Sequence, residues 1–116
     1  MEPVFETVGT CLKVMLPGEV DHPVSEKIRR ETDRIMGRLY IRTMEFDFSK
    51  TDFMDSSGIG LLMGRYRALG MVRGCIRAVH VSGYINKLLH LSGVHRFIEI
   101  SQIAEEREGE LHGEYQ

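Results

Sequence analysis

The sequence has few cysteines and no long apolar run. Its two cysteines, Cys11 and Cys75, lie far apart in different predicted strands and lack the close spacing of zinc ligands. We therefore expect two reduced thiols rather than a disulfide, with no metal and no cofactor. No apolar stretch approaches the roughly 20 residues that span a bilayer. Residues 1–6 show no signal-peptide pattern, so we expect no membrane contact and a cytoplasmic location.

The charge of the chain is nearly balanced. Its formal net charge is -2, and no basic stripe stands out, which argues against nucleic acid as a partner. The 116 residues, 42% of them hydrophobic, suffice for one compact domain with a real core. We therefore expect a single domain over residues 1–116, with an acidic, loosely ordered tail at about 105–116.

Two kinds of hydrophobic period alternate along the chain. Thr43–Phe48 is the clearest strand, because Met44, Phe46 and Phe48 share one face. Its other face is polar, which predicts a sheet covered by helices on one side only. The other predicted elements are an edge strand near Val4, a strand at Cys11–Leu16, a helix with the stripe Val24, Ile28, Ile35 and Leu39, a helix at Ser56–Leu69 with the stripe Ile59, Leu62, Met63 and Tyr66, a strand at Cys75–Val81, a short helix carrying Ile85, Leu88 and Leu89, a strand at Phe97–Ile100, and a last helix capped by Ser101.

This order predicts an α/β fold. We expect a small mixed or mostly parallel sheet of four to five strands, with helices packed mainly on one face. The first helix can be capped by Asp21 or His22, and Pro23 suits its first turn.

The segment Asp55-Ser56-Ser57 carries the chemistry, since it lies where a loop enters a helix. The first turn of a helix has unpaired N–H groups and a partial positive charge. The plain interpretation is that one serine caps the helix while Asp55 complements its dipole.

Three glycines lie inside the predicted helix. Gly58, Gly60 and Gly64 each cost about 1 kcal/mol relative to alanine. Three such costs within two turns indicate that a packed strand or a docked partner approaches the helix backbone closely.

Catalytic motifs fit poorly. The glycine spacing departs from the dinucleotide fingerprint, and no P-loop lysine is present. A nucleophile elbow needs glycine two residues before the serine, but Met54 and Asp55 precede Ser56 and Ser57. The histidines show no metal-binding spacing. A serine hydrolase or a nucleotide-binding protein therefore remains only a remote alternative.

Residues 53–60 (FMDSSGIG), continuing to Gly64-Arg65-Tyr66, resemble the signature of the bacterial anti-sigma factor antagonists of the STAS domain family. Residues 18–22 resemble the second motif of that family, and residues 88–94 resemble the third. The Gly-Arg-Tyr continuation is most similar to the antagonists that act in sporulation.

The resemblance implies a phosphorylation switch rather than an enzyme. The unphosphorylated form would bind an anti-sigma factor that is an ATP-dependent serine kinase, and would thereby release the sigma factor. The resemblance to the sporulation antagonists implies the forespore sigma factor. Phosphorylation of Ser56 would turn the protein off, and a serine phosphatase would reset it. A general-stress antagonist is the alternative within the family. The implied partner-binding residues are Asp21, Asp55, Ser57, Gly58 and Gly60.

Overall fold

The computed structural model of the chain describes residues 2–103, in which strands and helices alternate. The elements in chain order are β1 (Val4–Val8), β2 (Cys11–Met15), β3 (Glu19–Val20), α1 (His22–Met36), β4 (Thr43–Asp47), β5 (Phe53–Met54), α2 (Ser56–Ala68), β6 (Ile76–Val81), α3 (Gly83–Ser92) and β7 (Glu99–Gln102), with a short 3-10 turn at Val94–Arg96.

The main sheet has five strands in the order β1-β2-β4-β6-β7. The β1 strand is antiparallel to β2, and the other neighbours run parallel. This arrangement confirms the predicted mixed, mostly parallel sheet and the edge strand near Val4. A separate two-stranded sheet pairs β3 with β5.

One face of the main sheet is the core. Met44, Phe46 and Phe48 are buried, as their alternation predicts, and so are Leu12 and Val14 of the adjacent strand. The free energy that favours this fold comes mainly from burying these apolar side chains beneath the helices.

The opposite face of the sheet carries a row of alternating charges. Glu6, Lys13, Glu45, Arg77 and Glu99 are successive register partners across the five strands. Directly opposed unlike charges stabilise neighbouring strands, and Nη2 of Arg77 lies 3.1 Å from Oε1 of Glu45. The predicted one-sided sheet is therefore confirmed, and this row of charges occupies the polar side.

The first helix begins and ends more sharply than its pattern predicts. Asp21 is the N-cap, with its Oδ1 accepting from the backbone N–H of Val24 at 3.2 Å, and proline follows in the first turn. Gly37 ends the helix, so Leu39 lies beyond it and is 50% exposed. The prediction that Leu39 continues the buried stripe is wrong, because the chain leaves helical geometry before reaching it.

The buried stripe of α2 also differs from the prediction. Gly58, Leu61, Leu62 and Arg65 face the core. Of the predicted set, only Leu62 is fully buried; Ile59, Met63 and Tyr66 pack partly against the core edge. The buried face is therefore rotated relative to the apolar pattern, because a glycine and an arginine occupy inner positions.

The last described elements correct two further predictions. The short helix with Ile85 and Leu89 is confirmed, and left-handed Gly93 ends it. The final strand begins at Glu99 rather than Phe97, because a 3-10 turn intervenes. Ser101 lies within this strand and so does not cap a helix. The predicted tail at 105–116 falls outside the described residues. Both cysteines are free thiols, with Cys11 half-buried and Cys75 buried.

Candidate functional site

The two short strands place two helix N-termini side by side. The β3 strand pairs in parallel with β5, and Val20 lies opposite Met54. The next residue after each strand is an aspartate, Asp21 or Asp55, and each caps the helix that follows. The positive ends of two helix dipoles are thus brought together, each complemented by a carboxylate.

Asp55 binds the serine two residues after it. Its Oδ1 accepts a hydrogen bond from the backbone N–H of Ser57 at 2.9 Å and another from the Ser57 hydroxyl. Both hydrogen bonds lower the pKa of Asp55, and the bond from the Ser57 hydroxyl has the larger effect. The expectation that a serine caps α2 is therefore wrong, since Asp55 does so and Ser57 is held against it.

Ser56 is the first residue of α2 and is exposed. Within residues 2–103 its hydroxyl makes no hydrogen bond, whereas the Ser57 hydroxyl is engaged by Asp55. The two adjacent serines therefore differ chemically, and Ser56 presents the free hydroxyl.

The glycines of α2 divide into two kinds. A Cβ at Gly58 would lie 2.4 Å from Cγ of Met54 and 3.2 Å from Cγ1 of Val20, so the close approach of the β3–β5 pair requires glycine there. A Cβ at Gly60 or Gly64 would meet no described atom within 4 Å. Packing of a strand thus explains Gly58 but not the other two, of which Gly60 is exposed.

A groove of about 240 Å³ lies between the first halves of α1 and α2. Ser25, in its wall, is 5% exposed, and its hydroxyl has no hydrogen-bond partner among the described residues. No sequence signal marks this serine, because a polar residue within an amphipathic helix resembles a solvated one. The groove is lined by His22, Ser25, Glu26, Arg29, Ser57, Gly60 and Leu61.

The structure thus brings together every site residue predicted from the sequence. Asp21 and Asp55 cap α1 and α2, Ser56, Ser57 and Gly58 lie in the first turn of α2, and Gly60 begins its second turn. Among residues 2–103, no group of three or more His, Cys, Asp or Glu side chains could hold a metal ion. None of the helices in that part of the chain is long and apolar enough to cross a membrane.

A mixed sheet with helices on one face, and an exposed serine where a short strand enters a helix, define a small α/β domain with a helix-start site. The STAS domain model matches residues 2–107, and the chain therefore belongs to the STAS domain family.

Named relatives resemble the chain over most of its length. The anti-sigma F factor antagonist of Paenibacillus polymyxa is 32% identical over 89 residues, which cover 77% of this chain and 76% of the relative. The anti-sigma factor antagonist SpoIIAA in its unphosphorylated form has 29% identity and a TM-score of 0.76, covering 98% of this chain and 99% of that one. The Bacillus cell fate determinant SpoIIAA in the phosphorylated form has 30% identity and a TM-score of 0.68, covering 92% and 96%.

Proposed function

We propose that this protein is an anti-sigma factor antagonist switched off by phosphorylation of Ser56. The unmodified form binds an anti-sigma factor that is also an ATP-dependent serine kinase, and the sigma factor is released. The observation that carries the proposal is the free, exposed Ser56 hydroxyl beside a Ser57 hydroxyl held by Asp55. The name of the Paenibacillus polymyxa relative, an anti-sigma F factor antagonist, supports the same class.

The geometry favours Ser56 over Ser57 as the phosphate acceptor. A kinase must reach the acceptor hydroxyl and align it with the γ-phosphate of ATP. Ser56 is exposed and needs to break no internal hydrogen bond, whereas Ser57 is half-buried and would have to leave Asp55.

A phosphate on Ser56 changes the surface more than the fold. It adds about 1.5 to 2 negative charges in the first turn of α2, where the helix dipole and free N–H groups favour an anion. The likeness of this chain to SpoIIAA in both the unphosphorylated and the phosphorylated form supports a fold that accepts the group. The switch therefore operates on the complex with the anti-sigma factor.

The surroundings of Ser56 suit a partner matched to a neutral hydroxyl. Asp21 and Asp55 already make the paired helix starts acidic, so the phosphate adds like charge to them. Gly60 lies one turn further along α2, exposed and without a side chain, and lets the partner approach the helix backbone. Gly58 acts indirectly by seating α2 against β5, and Ser57 by holding Asp55.

The sigma factor under control is, in this proposal, the forespore sigma factor of sporulation. The name of the Paenibacillus polymyxa relative supports this choice over a general-stress factor. A serine phosphatase removes the phosphate and restores binding. Pull-down with the sporulation-type and the stress-type kinase of the same organism separates the two pathways, because only the cognate kinase is retained.

A serine hydrolase would need a different site. A nucleophilic serine requires a base within hydrogen-bond reach, and the Ser56 hydroxyl has no such partner within residues 2–103. His80 instead contacts Asp47, with 3.0 Å between Nδ1 and Oδ1, and His90 contacts the carbonyl of Asn86.

The proposal is tested by incubating the protein with the anti-sigma kinase and ATP and locating the phosphate by mass spectrometry. We expect one phosphate on the wild type and on Ser57→Ala, and none on Ser56→Ala. Ser57→Ala is the matched control, because it removes the neighbouring hydroxyl of the same helix turn. Equal phosphorylation of Ser56→Ala and wild type would contradict the assignment.

A further inference from the structure

The end of the molecule opposite Ser56 carries a second groove. The α1 helix ends there at Met36 and α2 at Ala68, about 20 Å from Ser56 for a 13-residue helix. Strands β4 and β6 begin at the same end, because they run antiparallel to these helices. The groove has a volume of about 690 Å³, and its lining includes Met36, Tyr40, Ile41, Arg42, Leu69 and Arg73.

Large apolar side chains are exposed around this groove. Leu39 is 50% exposed, Tyr40 76%, Met71 61% and Val72 58%. Single exposed apolar residues are ordinary on a protein surface, but a concentration of four in two neighbouring loops marks an interaction site. We call this surface, together with Arg38, Arg42, Arg67 and Arg73, the arginine groove.

Exposed cations dominate its charge. The four arginines are exposed, and the lining residues other than Thr10 lie within residues 34–44 and 56–98, which contain no aspartate or glutamate. Glu99 approaches from the neighbouring strand, with its Oε2 3.1 Å from the place that a Cβ at Gly74 would occupy. Favourable contact with a helix C-terminus accounts for Arg38 and Arg67, which lie at or just after helix ends. Arg42 and Arg73 lie in loops beside the groove, where no helix end requires them.

The loop between α2 and β6 holds a strained residue beside the groove. Met71 has a φ of 58°, a left-handed conformation that is costly for a large side chain, and glycines at positions 70 and 74 share that region. The Tyr66 hydroxyl donates to the Met71 carbonyl at 3.3 Å, which helps to hold the loop. Strain that the surrounding structure maintains is typical of functional surfaces.

We propose that the arginine groove docks an acidic, amphipathic segment of a partner protein, independently of the Ser56 site. Arginine, tyrosine and methionine are enriched where proteins bind one another, and all three are exposed here. Four exposed arginines, in segments that contain no aspartate or glutamate, select carboxylates, while Tyr40 and Met71 select apolar side chains. The concave space between two helix ends suits a peptide segment better than a flat bilayer.

The test uses the full-length chain and a short synthetic peptide of glutamate and leucine, with the leucines at helical spacing. Amide shifts in an NMR titration are expected at residues 38–43 and 67–75. Arg42→Glu with Arg73→Glu should weaken binding about tenfold or more. Arg30→Glu with Lys87→Glu makes the same charge change elsewhere and should weaken it by less than about twofold. Tyr40→Ser should also weaken it, and Ser56→Asp should leave it unchanged.

Several outcomes would overturn the proposal. Equal weakening by the two charge-reversal pairs, or equal binding of a scrambled peptide, would reduce it to nonspecific attraction. A salt-sensitive dimer of the chain alone, seen by sedimentation with shifts at the groove, would assign the surface to a second copy. If anionic vesicles capture the wild type but not the Arg42→Glu, Arg73→Glu variant, the arginine groove is assigned to a lipid surface. A variant in which the glutamates of residues 105–114 are replaced by glutamine tests the chain's own C-terminal segment as the occupant. If this variant binds the peptide more tightly than the wild type, the arginine groove is assigned to that segment.

Discussion

Arg65 on α2 donates a hydrogen bond to Asp33 on α1, with 2.5 Å between Nη1 and Oδ1. The same nitrogen donates to the hydroxyl of Thr32 at 3.1 Å. Arg65 is only 6% exposed, whereas Asp33 is half exposed, so the arginine crosses the helix interface from the core to reach a solvated carboxylate. This contact holds together the two helices whose first turns form the candidate site.

Replacing Arg65 should cost more than replacing its charged partner. Arg65→Ala should lower the free energy of unfolding by about 2–4 kcal/mol, because it removes buried volume and two hydrogen bonds. Asp33→Ala should cost less, about 1–2 kcal/mol, because it leaves the buried guanidinium with the Thr32 hydroxyl as its one remaining acceptor among residues 2–103, while the Arg65 side chain stays packed. Arg65→Met, which retains most of the volume, should fall between them in urea denaturation. An equal loss from Asp33→Ala and Arg65→Ala would contradict the packing role.

Gly58 and Gly60 should respond in opposite directions to alanine. Gly58→Ala should destabilise the fold by about 1–3 kcal/mol, because the new Cβ overlaps the buried Met54 side chain. Gly60→Ala should stabilise it by about 1 kcal/mol, because the site is open and alanine favours the helix. Thermal unfolding measures both. In the double variant Gly58→Ala, Met54→Ala, the loss in free energy of unfolding should be smaller than the sum of the two single losses, because the overlap is removed. Additive losses would contradict the proposed overlap.

Asp55 should make stability depend on pH in the acid range. Its pKa is lowered in the folded state, by the Ser57 hydroxyl above all, so its carboxylate favours folding above the unfolded pKa of about 3.9. Asp55→Ala should lower the free energy of unfolding at neutral pH, because α2 loses its N-cap acceptor. The difference from wild type should narrow as pH falls through the folded-state pKa. Urea unfolding at a series of pH values measures this difference, and a value that stays constant into acid would contradict the assignment.

The row of charges on the open face of the sheet should respond to charge reversal according to position. Glu45→Lys places like charges beside both Lys13 and Arg77 and should cost about 1–2 kcal/mol. Glu6→Lys, at the edge strand, meets only Lys13 and should cost about half as much. Added salt should reduce both losses. Equal losses from the two variants in chemical denaturation would show that the register partners do not act as a row.

The sequence pattern predicts the main sheet and helices well but places some side chains wrongly. The strong alternation at Met44, Phe46 and Phe48 identifies the core face, because a sheet covered on one side leaves a two-residue period. The apolar stripe of α2 predicts the wrong buried face, because hydrophobic periodicity does not identify Gly58 or Arg65 as buried residues.

The candidate site is predicted from a motif and refined by geometry. Its position at a helix start follows from the sequence, but Asp55 rather than a serine proves to be the cap. The short β3–β5 pair, which places Asp21 beside the second helix start, contains too few residues for a periodic signal. The unpartnered Ser25 hydroxyl likewise depends on contacts between helices.

The most direct test of the switch compares the affinity of the anti-sigma kinase for this protein before and after phosphorylation of Ser56. Isothermal titration should show binding weakened about a hundredfold or more, which corresponds to roughly 3 kcal/mol. The melting temperature should stay nearly unchanged, because the helix start accepts the phosphate. Ser57→Ala, phosphorylated in the same way, is the control and should lose affinity to the same extent. Equal affinity of the phosphorylated and unphosphorylated forms would contradict the account.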